Sequence, residues 1–297
     1  MNQFDNNAQA AGGVSQGVLH DQSIGRIIAA ANKLTAEQVE QILVHQKKAG
    51  VRFGEAAVAL GLADGEDVLW ALSQQFHYPY APGSASQLSS DLVLANKPFS
   101  DQAEAFRVLR SQINMRLFAA GQKKRAIAVI SPERGDGKSF FAANMAVSLS
   151  QLGGRTLLVD ADMRNPRQQE IFGLGDARAG LSGILSGRAE ANVIRPVPDL
   201  PSLFVMPVGT VPPNPPELLE RPAFGLLMKE LLSKFDYVIV DTPAAELGAD
   251  AAIASAHCGA ALVIARKDST RVSTVQDLVA SLSNGPAELA GVVLNEH

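Results

Sequence analysis

The apolar positions of this 297-residue chain change their spacing along its length. Between residues 21 and 80 they recur every three to four positions, the period of a helix with one buried face. The stretch also repeats itself: "SIGRIIAAANKLTAEQVEQILVHQ" (23–46) and "RFGEAAVALGLADGEDVLWALSQQ" (52–75) align over 24 residues without a gap. Gly25 pairs with Gly54, Leu34 with Ala63, Val39 with Val68, Leu43 with Leu72 and Gln46 with Gln75. Each copy predicts a short helix, a turn, an acidic first turn ("TAEQ", "DGED") and a second amphipathic helix. Two such copies predict one small helical domain with shared apolar faces.

From about residue 99 the helical period gives way to short, uniformly apolar runs. These are "AIAVI" (126–130), "TLLVD" (156–160), "LFVMPV" (203–208), "YVIVD" (237–241), "ALVIA" (261–265) and "GVVLN" (291–295), separated by helical patterns. Such strands predict an α/β fold, a doubly wound and mostly parallel sheet covered on both faces. Ligands of these folds sit at the carboxyl ends of the strands. "HYPYAPGSASQLSSD" (77–91) is rich in Pro, Gly and Ser, and the first residues are rich in Asn, Gln, Ala and Gly. The expected organisation is a flexible tail (1–20), a helical repeat domain (21–80), a linker (81–98) and an α/β domain (99–297).

Composition acts mainly by exclusion. A net charge of -4 argues against a nucleic-acid partner, and a single cysteine, Cys258, excludes an internal disulfide framework. The five histidines are scattered without ligand spacing. The start is polar, so no signal peptide is expected, and no apolar run reaches membrane-spanning length. The expectation is a cytoplasmic protein without direct membrane insertion, brought to the inner membrane through a partner.

"VISPERGDGKSFF" (129–141) carries the chemistry. Gly137, Lys138 and Ser139 fit the end of a phosphate-binding loop, whereas Pro132 stands where its first glycine belongs. The setting is strand, loop, helix, as a P-loop NTPase requires. Backbone N–H groups of the loop and the helix N-terminus would cradle phosphates, Lys138 would reach the β/γ oxygens and Ser139 would hold Mg²⁺. A lone GKS at a helix start is an ordinary cap. Here "TLLVDADMR" (156–164) adds Asp160 and Asp162 at one strand end, and "YVIVDTP" adds Asp241 at another. Three carboxylates beside GKS point to nucleotide chemistry.

The P-loop and the two acidic motifs resemble the Walker A, A′ and B set of bacterial tyrosine kinases, relatives of the MinD/ParA ATPases. That family typically carries S-x-x-P-G-E-G-K-S, without the first glycine; here Arg134 takes the place of the usual proline. Glu133 occupies the slot of the signature lysine of the partitioning ATPases, which argues against that branch. "EAFRVLR" supplies Glu104, Arg107 and Arg110 in the E-x-x-R-x-x-R spacing that the family uses between subunits; as bare residues they are an exposed helix face. "GLSGILSG" (180–187) and "GTVPPNPPELL" (209–219) are also family-like, and the order resembles EpsG-type chain-length-determinant kinases of exopolysaccharide operons.

The resemblance implies an ATP-dependent protein-tyrosine kinase that regulates exopolysaccharide polymerisation and export, works as a homo-oligomer and partners a transmembrane, Wzz-like polysaccharide co-polymerase. It implies catalytic roles for Lys138, Asp160, Asp162 and Asp241. ATP contacts fall to Gly135, Asp136, Gly137, Lys138, Ser139, Phe140 and Asn295, and Mg²⁺ to Ser139, Asp162 and Asp241. Asp160 would orient or deprotonate the acceptor hydroxyl. The family usually ends in a tyrosine cluster, whereas this chain ends "GVVLNEH" and holds only Tyr78, Tyr80 and Tyr237. An assembly ATPase that phosphorylates nothing is the alternative. The repeat resembles the N-terminal (MshEN-like) module of type II secretion and pilus ATPases, in which two 24-residue motifs separated by 5 residues bind cyclic di-GMP. Here "KKAGV" (47–51) matches the spacer. Arg52 and Gly61 keep the second motif, but Ser23 and Asn32 replace the arginine and glycine of the first. Cyclic di-GMP binding through Arg52 and a protein-docking module are the two expectations.

Overall fold

The computed structural model describes residues 24–75, 88–119, 121–188 and 191–296, and the chain divides after His77 into two compact units. The 1–20 tail, Ser23, Tyr78 and Tyr80 lie outside the described residues.

The first unit contains α1 (Ile24–Ala31), α2 (Ala36–Ala49), α3 (Phe53–Ala59) and α4 (Gly65–Gln75), the two helix pairs expected of the repeat. The acidic turns work as helix starts. Gln38 N donates to Thr35 Oγ1 (3.3 Å) while Thr35 N donates to Gln38 Oε1 (2.8 Å), and Asp64 and Asp67 exchange the same pair of bonds in the second copy. The copies interlock, α1 against α4 and α2 against α3. Ile27, Ile28, Ile42, Phe53, Ala56, Ala57 and Ala71 form their common core. At Gly54 a Cβ would lie 2.7 Å from Val68 Cγ1, so the repeated glycine marks close helix packing.

The second unit opens with α5 (Val93–Asn96) and α6 (Asp101–Leu117). Then come β1 (Ala126–Ile130), α7 (Lys138–Ser150), β2 (Thr156–Asp160), α8 (Gln168–Ile171) and α9 (Leu181–Leu185). They are followed by β3 (Arg195–Val197), β4 (Leu200–Met206), α10 (Pro215–Leu219), α11 (Pro222–Lys234) and β5 (Tyr237–Asp241). The chain closes with α12 (Asp250–Cys258), β6 (Gly259–Arg266), α13 (Val272–Ser283) and β7 (Glu288–Asn295). The seven strands form one sheet in the order β3-β4-β2-β5-β1-β6-β7. All pairings are parallel except β3 with β4.

Both sheet faces are buried, as uniformly apolar strands require. Ile127, Val129, Leu158 and Ile239 pack under α6 and α7; Ala128, Ile130, Leu157, Val159 and Val240 pack on the opposite face. β7 departs from the expectation: as an edge strand it leaves Val292 and Leu294 largely exposed. β3 is an unexpected addition, three residues that fold back antiparallel on β4 around Pro198 and Asp199. Residues 92–95, placed by composition in the linker, belong to the second unit's core. Leu92, Leu94 and Ala95 are fully buried, and Asn144 of α7 accepts from Leu94 N (3.3 Å) and donates to Asp91 O (2.8 Å). No helix among the described residues is long and apolar enough to cross a membrane.

Candidate functional site

The parallel register fixes the site. β2 and β5 run side by side with Asp160 opposite Asp241, and Val129 near the end of β1 lies opposite Asp241 on its other side. The strands therefore deliver the P-loop and both acidic motifs to one end of the sheet.

The loop between β1 and α7 is held from outside the cleft. Ala245 N and Glu246 N donate to Ser131 O (2.8 Å) and Pro132 O (3.1 Å), and Arg134 N donates to Glu246 Oε1 (2.8 Å). The Asp136 side chain is turned inward: Oδ2 accepts from Glu133 N (2.9 Å) and Oδ1 from the Thr270 hydroxyl (2.7 Å). Its carboxylate buckles the loop, which leaves only the backbone of Asp136 for the phosphate role expected of it. Gly137 caps α7 at a left-handed φ of 93°, and a side chain there would collide with Asn295. Asn295 Nδ2 donates to Asp136 O (3.0 Å), so β7 buttresses the loop.

A cavity of about 240 Å³ opens over the loop, lined by Arg134, Gly135, Gly137, Lys138, Ser139 and Phe140 on one side. Asp162, Asn165, Arg167, Ala244 and Leu247 complete it. Lys138 is 7 % exposed, Arg134 and Arg167 stand at the rim, and this cationic lining at a helix N-terminus suits a polyphosphate. The Phe140 ring packs on Phe106 of α6, with centroids 6.0 Å apart.

The three carboxylates differ. Asp162 opens on the cavity; its Oδ1 accepts from Arg164 N (3.2 Å) and Asn165 N (2.9 Å), and burial raises its pKa while Lys138 opposes the rise. Asp241 is fully buried, and burial lifts its pKa to about 6 against the opposing hydrogen bond from Gln168, the nearby Ser139 and the charge of Lys138. Asp160 is also fully buried. Oδ1 accepts from Asp162 N (3.1 Å), Oδ2 from Arg167 N (3.2 Å) and Gln168 N (3.0 Å), and burial, with Asp241 alongside, raises its pKa well above the usual range. Asp160 thus holds the 160–168 turn and does not line the cleft in which it was expected. Arg164 anchors the same turn through a bidentate pair with Asp250 (3.2 and 3.0 Å).

Gln168 escaped the sequence reading because no motif announces it. It is fully buried, and Nε2 donates to Asp241 Oδ2 (2.7 Å) and Ser139 O (3.1 Å). Gln168 Oε1 and Asp241 Oδ1 are buried without a hydrogen-bond partner. Among the described residues no cluster of three or more His, Cys, Asp or Glu could hold a metal unaided. Two orphaned acceptors beside a serine hydroxyl suit a hydrated Mg²⁺, which takes few protein ligands and keeps several waters.

The E-x-x-R-x-x-R residues lie on α6. Glu104 is exposed and pairs with Arg107 (2.8 Å), Arg107 also donates to Pro98 O, and Arg110 donates to Ser148 O of α7 (2.7 Å). Both arginines therefore hold their own chain together. Arg52 is the exposed residue before α3, with its N–H on Glu55 Oε2 (2.9 Å). Tyr237 packs edge-on against Phe118 at 5.1 Å.

A family model described as "ParA: NUBPL iron-transfer P-loop NTPase" matches residues 122–296. The tyrosine-protein kinase CpsD of Streptococcus agalactiae is 32% identical over 193 residues, 65% of this chain and 82% of that protein. The crystal structure of the chimerical protein CapA2B2 is 33% identical, with a TM-score of 0.65 over 76% of this chain and 97% of its own. The kinase domain of the Escherichia coli tyrosine kinase ETK is 27% identical, with a TM-score of 0.65 over 75% of this chain and 91% of that one.

Proposed function

The chain belongs to the tyrosine-protein kinase family of ParA-like P-loop NTPases, and from that premise we propose that it transfers the γ-phosphoryl group of ATP to a protein tyrosine. The observation that carries the proposal is the convergence of Lys138, Ser139 and Asp162 on one cationic cleft at a helix N-terminus, with Asp241 buried behind it and held by Gln168. The Lys138 ammonium neutralises the β/γ oxygens, and loop N–H groups cradle them. Ser139 and Asp162 at the cleft would hold Mg²⁺, with the buried Asp241 meeting its water ligands, and the ion would supply charge neutralisation for the transfer. Asp162 is the carboxylate open to the cleft, so it takes the acceptor-orienting role expected of Asp160. Its burial-raised pKa makes it a better base for the hydroxyl proton than an ordinary carboxylate, and its place on the cleft, which Asp160 lacks, gives it access to that proton. The bond from γ-phosphorus to the bridging oxygen breaks as the bond to the tyrosine oxygen forms.

Tyr237 sits in β5 against Phe118, which leaves Tyr78, Tyr80 or another protein as the acceptor. By resemblance to EpsG-type kinases, that other protein is the Wzz-like co-polymerase of an exopolysaccharide export machine, which would also bring this chain to the inner membrane. The α6 arginines, committed within their own chain, leave Glu104 as the residue of the three most available to a neighbouring subunit in a homo-oligomer. The organisation as tail, repeat domain, linker and kinase domain goes with this reading, as does an MshEN-like role for the repeat. Arg52 alone is a poor basis for cyclic di-GMP affinity, because one bidentate contact supplies only part of what micromolar binding needs; docking of a protein is the better-supported role. Incubation of the full chain with labelled ATP and Mg²⁺, alone and with the co-polymerase, tests the reading. Phosphotyrosine is expected; ATP turnover with no labelled protein would favour the assembly-ATPase alternative.

A further inference from the structure

Gln168 touches all three strand-end motifs at once. Its backbone N–H caps Asp160 of β2 (3.0 Å), and its Nε2 donates to Asp241 of β5 (2.7 Å) and to the carbonyl of Ser139 in the P-loop helix (3.1 Å). The orientation of the amide is fixed by its neighbours: both are acceptors, so the nitrogen must face them. Oε1 is thereby turned away from these two, and it is buried with no donor. A glutamine kept for packing alone would have both ends satisfied or be replaced by an apolar side chain, because an unpaired buried carbonyl is costly. Asp241 Oδ1 is orphaned in the same way, since Gln168 holds the other oxygen.

We propose that Gln168 is a positioning residue for the hydrated divalent cation, holding Asp241 by one oxygen so that the other, together with its own Oε1, accepts from water ligands of the metal. The inference rests on the Mg²⁺-nucleotide reading of the cleft. It also gives the 160–168 turn a direct link to the metal, because the residue that caps Asp160 is the one that aims Asp241. Gln168 itself touches no reacting atom.

The test uses the full chain and two variants, Gln168→Met, which keeps the length and removes both polar ends, and Gln168→Asn, which keeps the amide one methylene short of its partners. ADP is titrated calorimetrically with Mg²⁺ and with EDTA, and folding is checked by circular dichroism. The wild type is expected to bind ADP more tightly with Mg²⁺. Each variant should lose about tenfold of that Mg²⁺-dependent gain, the equivalent of one hydrogen bond to a charged group, while metal-free affinity stays within about twofold. If Gln168→Met does not fold, the polar Gln168→Asn decides alone. An undiminished Mg²⁺ gain in a folded variant overturns the inference, as does an equal loss with and without metal, which marks a disturbed phosphate cradle. A wild type indifferent to Mg²⁺ overturns the nucleotide reading itself and the inference with it.

Discussion

The interiors of the two units are built on different terms. Among the described residues of the first unit, Ser73 alone is a buried polar side chain, and its hydroxyl is satisfied by Trp70 O at 2.7 Å. The second unit buries Asp136, Lys138, Asp160, Asp162, Gln168, Asp241 and Asp250. Burying charge is costly even when it is paired. A core of isoleucine, phenylalanine and alanine needs no explanation beyond folding, whereas a cluster of carboxylates around one lysine does. Function in the first unit must therefore be sought on its surface, and in the second at the strand ends.

The largest expected effect is on Lys138. Lys138→Met should lower ATP turnover at least about 100-fold, because it removes the charge that meets the developing phosphoryl oxygens. Steady-state hydrolysis checks this; unchanged turnover would leave the buried lysine without a purpose. The two aspartates of "DADMR" should then separate. Asp162→Asn is expected to cut kcat about 100-fold with ADP affinity nearly unchanged. Asp160→Asn turns an amide NH₂ towards backbone donors; at pH 4, where relief of the buried charge no longer offsets that loss, it should lower stability by about 1–3 kcal/mol. If Asp160→Asn spares stability and Asp162→Asn spares kcat, the assignment of the two is reversed.

In the first unit, Ile42→Ala should cost about 2–4 kcal/mol as a cavity in an apolar core, with ATP turnover unaltered. Loss of turnover in that variant, seen by assaying the two properties together, would erase the contrast between the units.

The pH dependence has the next size. The native pKa of Asp241, about 6, lies above its ordinary 3.8, so the folded protein holds a proton that the unfolded chain has lost. That contribution to stability is full below about pH 4 and is lost as pH rises through 6. Metal-free Asp241→Asn should therefore melt higher than wild type at pH 7.5, by about 1–3 kcal/mol, with the difference fading towards pH 4. A variant that melts lower at pH 7.5 would mean that Lys138 keeps the native carboxylate ionised. The smallest effect is expected on the surface of the repeat: calorimetry with cyclic di-GMP should give weak or absent binding, and tight binding abolished by Arg52→Ala would restore the sensor.

Much of this was legible in the sequence. Period 3.6 in a duplicated 24-residue stretch gave the four helices, and uniformly apolar runs gave six of the strands. β3 was not legible because three residues, one of them proline, are too few for a periodicity. Burial of residues 92–95 was hidden because their anchor, Asn144, lies 50 residues from Leu94. Lys138, Ser139 and the aspartates stood out by spacing, but spacing does not say which way a carboxylate points. Asp160 faces backbone amides and Asp136 a backbone amide and the Thr270 hydroxyl, and only the fold shows that. Gln168 has no signature at all, since its importance comes from what three different elements bring to it.

The buried polar cluster of the second unit is expected to serve phosphoryl transfer to tyrosine. Mass spectrometric mapping of phosphotyrosine after incubation of wild type and Lys138→Met with Mg²⁺-ATP and the export-machine co-polymerase tests it most directly. Phosphotyrosine that forms with the wild type and is absent with Lys138→Met is the predicted result. Equal phosphorylation by both, or ATP hydrolysis by the wild type with no phosphotyrosine on either protein, would contradict it.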